Sequence, residues 1–267
     1  MAHTPGCLSI LQISDSHILP EPGETLLGID TAYYFQAVLE QAFAPGQQFD
    51  LILFTGDLAQ HPSPLNYQRI LNTLEAYQTP CVCLPGNHDD YELMQQILNT
   101  ELVNCRKQVF LGNWQIISLN SQIPGAPGGR LSDQELAFLE RCLGSQPDHY
   151  ALLAMHHHCQ SINSPWMDTM MIENAQALFA IINKHPQVKA VTFGHIHQAI
   201  TLEAGPVRVW GAPSTCFQFQ PESKQLTVAN TPPGYRVIRL FADGKLKSET
   251  HHLPKPLTGL QTDTQGY

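Results

Sequence analysis

The chain has 267 residues, 43% of them hydrophobic and 14% charged, with a formal net charge of −9. That length and balance describe a globular chain able to bury a substantial core, neither disordered nor fibrous. The acidic excess argues against non-specific nucleic-acid binding, which needs a basic face, and no apolar run approaches the roughly 18 residues that cross a bilayer.

The opening "MAHTPGCLSILQIS" has no basic region, and its apolar stretch runs into Ser14 and Asp15, which speaks against a secretory leader. The seven cysteines are scattered, with no CxxC pair, as expected of small buried hydrophobes in a reducing cytoplasm. Cys159, beside three histidines, has the one setting that suggests reactivity; the buried reading is preferred there too.

In chain order, strand and helix alternate. Leu8 to Ser14 reads as a strand, and Thr31 to Ala44 as a helix closed by Pro45-Gly46. Leu51 to Thr55 is a strand, Pro64 to Tyr77 a helix with proline at its start, and Pro80 to Leu84 a strand. Asp89 to Asn99 reads as a helix with an acidic first turn. Strands around Val109 and over Gln115 to Asn120 precede the loop "QIPGAPGGR". Ser132 to Leu143 is a helix with a capping box, Ser132 and Glu135. Ala151 to Met155 is a strand, Ile172 to Lys184 a helix and Val188 to Phe193 a strand. From about residue 199 short strands dominate ("ITLEA", "VRVWG", "LTVAN", "YRVIRLFADG"). We expect one α/β domain over residues 1–255 with a β-rich final third, and a loose tail over 256–267.

Polar residues recur where these strands end. Asp15-Ser16-His17 follows the first, Gly56-Asp57 the second and Gly86-Asn87-His88-Asp89 the third. His156-His157-His158 and Gly194-His195-Ile196-His197 follow two later ones. Taken singly each is a loop or a helix cap. In α/β sheets, however, strand carboxyl ends converge on one crevice, and on an extended segment His195 and His197 point to the same side. No lysine or arginine precedes Arg69, so Asp15 and Asp57 have no local cationic side chain. Burying such carboxylates calls for a metal counter-charge. Imidazole mixed with carboxylate and amide oxygen suits manganese, iron, zinc or nickel. Seven donors suit two ions roughly 3.5–4 Å apart that share one carboxylate. His3, His61, His149, His185, His251 and His252 have no strand-end setting and are expected at the surface. "GAPGGR" lacks the lysine of a phosphate loop, and no Gly-x-Ser-x-Gly occurs.

The ordered set "DSH … GD … GNHD … HHH … GHIH" resembles the calcineurin-like metallophosphoesterases over about residues 8 to 200. The stretches "LLGID", "GDLAQ", "GRLSDQELAFLE", "APSTCFQF" and "PGYR" are similar to the bacterial class III 3′,5′-cyclic-nucleotide phosphodiesterases, with two departures: Asn120 where aspartate is expected, and His158-Cys159 where proline is usual. The resemblance implies a four-layer α-β-β-α sandwich of two mixed β-sheets flanked by helices. It gives one metal to Asp15, His17 and His197 and the other to Asn87, His156 and His195, with Asp57 bridging. His156 is preferred over His157 as the ligand after the strand. His88 becomes the catalytic outer histidine, and the substrate phosphate meets His17, Asp57, Asn87, His88 and His197.

The implied function is hydrolysis of cyclic AMP to 5′-AMP by hydroxide generated at two metal ions. Iron and manganese come ahead of zinc, nickel or cobalt. Alternatives are another phosphoesterase of the superfamily, acting on glycerophosphodiesters or phosphomonoesters, or a non-catalytic scaffold. The expected partner is a small cyclic nucleotide, with no nucleic acid and no membrane; a homodimer is compatible.

Overall fold

The computed structural model describes residues 7–263; His3 and the last four residues of the expected tail lie outside that range. The elements run β1 (Cys7–Ile13), α1 (Thr31–Ala42), β2 (Leu51–Thr55), α2 (Pro64–Glu75), β3 (Cys81–Leu84), α3 (Tyr91–Ile97), β4 (Val103–Asn104), β5 (Gln108–Leu111) and β6 (Trp114–Ser118). They continue with α4 (Asp133–Ser145), β7 (Tyr150–Ala154), a 3₁₀ helix at Met167–Met170, α5 (Ala175–Ile182), β8 (Val188–Phe193), β9 (Ile200–Ala204) and β10 (Val207–Gly211). The last are β11 (Gln218–Phe219), β12 (Val228–Ala229), β13 (Gly234–Phe241) and β14 (Leu246–His252).

Two six-stranded sheets form, in the orders β14-β13-β1-β2-β3-β4 and β5-β6-β7-β8-β10-β9. Both are mixed. The segments β1 to β4 and β6-β7-β8-β10 are parallel, and antiparallel strands close one edge of the first sheet, at β13 and β14, and both edges of the second, at β5 and β9. Strand periodicity sorts the apolar residues into layers. In β2, Leu51 and Leu53 face the other sheet while Ile52 and Phe54 face helices α1 and α2; in β7, Leu152 and Ala154 face inward and Ala151 and Leu153 outward. Trp114 and Trp210 fill the space between the sheets. The fold is the expected α-β-β-α sandwich of two mixed sheets.

Near the strand carboxyl ends the space between the sheets turns polar. Gln12 Nε2 donates to Thr55 Oγ1 at 3.1 Å and to the Phe193 carbonyl at 3.2 Å, and Thr192 Oγ1 donates to Gln12 Oε1 at 2.6 Å. These bonds fix the end of one sheet against the other. Arg236, 2% exposed, crosses as well, donating from the β13 sheet to the carbonyls of Gly211 and Ile200; burial lowers its pKa to about 10.

Some elements differ from expectation. The helix expected from Ile172 begins at Ala175, because Ile172 lies in extended chain bridged to Gly129. The box expected at Ser132 is half formed. Ser132 Oγ accepts the Glu135 amide, but the Glu135 carboxylate accepts from Asn120 N and pairs with Lys107. The Asn120 side chain accepts from the Gln122 amide at 2.9 Å, a bond aspartate could also make, and nothing in the structure explains the asparagine. The tail expected to be loose is held at its start: Leu257 is buried, Thr258 N donates to Tyr34 Oη, and Gln261 N donates to the Leu27 carbonyl.

Candidate metal centre

The carboxyl ends of β1, β2 and β3 from one sheet meet those of β7 and β8 from the other, and all seven donors named from the sequence arrive there. Asp15, His17, His156 and His197 are fully or almost fully buried, Asp57 and His195 nearly so, and Asn87 and His88 half-buried. Asp15, His17 and His197 each offer an atom within 4.8 Å of the others'. Asp57 Oδ2 lies 3.7 Å from His17 Nε2 and 3.3 Å from His156 Nε2. His156 Nε2 is 3.1 Å from Asn87 Oδ1, so His156, rather than His157, meets the amide and the shared carboxylate. His157 has its Nδ1 2.8 Å from Ser121 Oγ and its ring against Gly129, and a ring nitrogen of it also lies within 4.8 Å of donor atoms of His156 and His195.

The tautomers are set from behind. His17 Nδ1 faces Gln60 Oε1 at 2.7 Å, His156 Nδ1 donates to the Thr55 carbonyl at 2.8 Å, and His197 Nδ1 donates to the Phe217 carbonyl at 2.8 Å. Each ring therefore turns its Nε2 to the centre, as a lone pair on His17 and His197 and as the site of a removable proton on His156. There they meet the Asp57 and Asp15 carboxylates and the Asn87 oxygen, and the Nε2 atoms of His17 and His197 are 3.2 Å apart. Acceptors crowd together with no donor between them, an arrangement stable only around cations or protons. Among the described residues, the ion-pair partners of Asp15 and Asp57 are histidines alone. The donor chemistry fits two ions.

The electrostatics agree. Burial lowers His17 to about 3 and pushes His195 and His197 well down, so these rings are neutral. Burial also disfavours charge on His156, but the adjacent Asp57 outweighs it and raises that ring to about 9. Burial raises Asp15 to about 7, and the Asp57 charge adds to the effect. Asp57 is held well below the usual carboxylate range: burial opposes ionisation, and His156 and His88 overcome it.

Local backbone makes this crowding feasible. A Cβ at Gly86 would overlap Asp57 Oδ1, one at Gly56 the His156 ring, and one at Gly194 Ser14 Oγ. The glycines beside three of the strand ends are therefore spacers for the donors. The donors themselves are strained. Asp15, His17, Asp57, His195 and His197 have φ of 54°, 45°, 50°, 66° and 48°, five of the nine non-glycine residues with positive φ among those described.

Several supporting residues escaped the sequence reading. Asp89, expected at a helix start, is buried and accepts from the amides of Gly86, Leu58 and Ala59 and from Tyr67 Oη, tying the second and third loops together. Asp90 is the N-cap of α3. In "APSTCFQF", Ser214 Oγ donates to the Asp15 carbonyl and Phe217 supplies the acceptor for His197. The signal for these was family likeness alone. Cys159 is 2% exposed and its thiol is pushed up to about 12 by burial, the inert reading. His61 is exposed and His149, His185, His251 and His252 are half-buried, and none of them is in the groups of candidate metal donors.

A cavity of about 610 Å³ opens at the centre. Asp57, Asn87, His88 and His195 line it, and His17 and His197 are not on its wall. His88 N donates to Asp57 Oδ1 at 2.9 Å, and its Nδ1 donates to the Gln60 carbonyl at 3.3 Å. No helix among the described residues is long and apolar enough to cross a membrane.

Residues 8–199 match the calcineurin-like phosphoesterase family. The chain is 40% identical over 259 residues to the 3′,5′-cyclic adenosine monophosphate phosphodiesterase CpdA of Escherichia coli K12, covering 97% of this chain and 94% of that one. It is 38% identical to the CpdA of Pseudomonas aeruginosa, over 99% and 97% of the two chains. It is also 38% identical to the 3′,5′-cyclic-nucleotide phosphodiesterase alr5338 of Nostoc, over 97% and 98%. A dimetal phosphatase from Danio rerio shares the fold, with TM-score 0.59 at 14% identity over 92% and 98% of the chains.

Proposed function

The chain belongs to the calcineurin-like phosphoesterase family, and on that premise we propose that it is a two-metal phosphodiesterase that hydrolyses 3′,5′-cyclic nucleotides, cyclic AMP to 5′-AMP first among them. The observation that carries hydrolysis is the buried cluster of acceptors at one end of an open cavity. The choice of substrate is supported by relatives named as 3′,5′-cyclic-nucleotide phosphodiesterases that match nearly the full length of the chain.

In this reading Asp15, His17 and His197 hold one ion, Asn87, His156 and His195 the other, and Asp57 serves both; iron and manganese suit the donors, with zinc, nickel or cobalt as substitutes. Bound there, two ions supply Lewis acidity that makes water nucleophilic near neutral pH and offsets phosphate charge. The protein's own part is placement. Asp57 is oriented by the His88 amide on Oδ1, leaving Oδ2 toward His17 and His156. His88 donates Nδ1–H to the Gln60 carbonyl, which fixes its ring, and as the imidazolium it also carries a proton on Nε2 to give the leaving 3′-oxygen. Asp57, Asn87 and His88 meet the phosphate from the cavity wall, with His17, 3.7 Å from Asp57, and His197 completing the set.

The test is a substrate panel with manganese or iron supplied: cyclic AMP, cyclic GMP, glycerophosphodiesters, p-nitrophenyl phosphate and bis(p-nitrophenyl) phosphate. Cyclic nucleotides should lead in kcat/KM. Rapid cleavage of a glycerophosphodiester or monoester with none of cyclic AMP would replace this reading.

A further inference from the structure

The cavity's outer half has no role in the metal chemistry, yet it is built from three separate segments. The loop at Gly125 to Pro127, the 3₁₀ helix with Trp166 before it, and the β11–β12 connection contribute Pro127, Trp166, Met170, Phe219 and Leu226. The segments are joined. Trp166 meets Phe219 edge-on with ring centroids 5.2 Å apart, and Phe219 in turn stacks on His197 at 4.2 Å. Ser164 Oγ donates to the Ser223 carbonyl at 3.1 Å, and Gly128 packs on the Met170 backbone.

The 3₁₀ helix is anchored from below. Asp168 accepts from Ser161 Oγ at 2.7 Å and the Ile162 amide at 2.9 Å, and its Oδ1 lies 3.4 Å from His158 Nε2. A short helix so tied is preformed, which lowers the ordering cost of any ligand it receives.

The chemistry of this half is one-sided. Every titratable residue on the cavity wall belongs to the metal end, and the hydroxyl of Thr169 is already donated to the Trp166 carbonyl at 2.6 Å. The remaining wall is aromatic, thioether and aliphatic. Reading one base edge against another takes paired side-chain donors and acceptors, and the indole N–H of Trp166, buried with no hydrogen-bond partner, is a single donor that makes no such pair.

We propose that Trp166, backed by Phe219 and flanked by Met170 and Leu226, forms a slot that holds the purine of a cyclic nucleotide by stacking and apolar contact, without side-chain reading of its hydrogen-bonding edge. This inference rests on the cyclic-nucleotide reading above and goes further in naming what selects the substrate. Two consequences follow. A base stacked on an aromatic ring loses about tenfold to a hundredfold when the ring is cut to alanine. Apolar pockets separate isosteric groups by at most about 200-fold, whereas a hydrogen-bonding site reaches 10⁴ or more. Cyclic AMP and cyclic GMP are therefore both substrates, within about 200-fold in kcat/KM.

The experiment compares the manganese-loaded protein with Trp166→Ala and Met170→Ala on cyclic AMP, cyclic GMP and ribose 3′,5′-cyclic phosphate, which lacks a base. The ratio of kcat/KM for cyclic AMP to that for the base-free diester should fall about tenfold or more in Trp166→Ala and less in Met170→Ala. An unchanged ratio, or a preference between the two purines above about 200-fold, overturns the slot. Binding gives a readout apart from turnover. Trp114 and Trp210 are fully buried, so Trp166 is the tryptophan a ligand can reach. 5′-AMP should quench the emission assigned to Trp166 by difference from Trp166→Phe, and ribose 5-phosphate should not. Equal quenching by both, or by neither, overturns the slot even if cyclic AMP is hydrolysed. Quenching by 5′-AMP alone upholds it even if the substrate proves to be another adenylyl diester.

Discussion

His17 Nε2 and His197 Nε2 face each other across 3.2 Å, each on a ring whose Nδ1 is already engaged by an oxygen behind it. Two lone pairs so placed repel unless a positive charge lies near both. Asp15 Oδ1, 3.5 Å from His197 Nε2, adds negative charge to the same point.

Asp57 stands 3.7 Å from His17 and 3.3 Å from His156, one on each side. Asp57→Asn should therefore weaken both ions together. Metal analysis after gel filtration should give well under one ion per chain. A variant that keeps one ion at full occupancy would show that the carboxylate serves a single metal.

His88→Ala keeps the backbone amide that binds Asp57, so both metals should remain. Turnover should fall by about 10²- to 10⁴-fold, the usual contribution of a positioned acid. Rates equal to the native protein would remove His88 from the reaction.

Metal uptake should release protons. His17, His195 and His197 are neutral because burial depresses them, so they have none to lose. His156, raised to about 9, and Asp15, raised to about 7, carry the protons that occupy the centre near neutral pH. Loading at pH 7 should release about one to two protons per chain, and apparent affinity should climb as pH rises from 6 to 9. Calorimetry in buffers of different ionisation enthalpy reads the number directly; none released would contradict the assignment.

Gly86→Ala tests the spacing. Its Cβ would overlap Asp57 Oδ1 and crowd the Asp57 backbone, so we expect a loss of about 1–3 kcal/mol in stability together with weakened metal binding. Gly144→Ala is the contrast. Nothing lies within 4 Å of that position in helix α4, and it should stabilise by about 0.5–1 kcal/mol. Comparable melting temperatures for the two variants would show that Gly86 is no spacer.

Much of this centre was legible because its donors sit immediately after strands, where short apolar runs end abruptly in Asp, Asn and His. Asp15, Asp57, His156 and His195 could be placed that way from composition and order. Asp89 could not, because a buried carboxylate that gathers backbone amides looks in sequence like the helix cap next to it. Glu135 was misread for a similar reason: the spacing of a capping box was present, but tertiary partners, Asn120 N and Lys107, took its carboxylate. The 3₁₀ helix at Met167–Met170 left no periodic trace, being a single turn held by Asp168 and Ser164 instead of by an apolar face.

The left-handed turns at Asp15, His17, Asp57, His195 and His197 set the needs of the reaction against those of the polymer. Each of these side chains holds its backbone where glycine would rest more comfortably, at a cost of about 1–3 kcal/mol. A lineage released from the need to turn over substrate would grow sturdier by discarding them, so their joint survival in one chain is itself a mark of selection for chemistry.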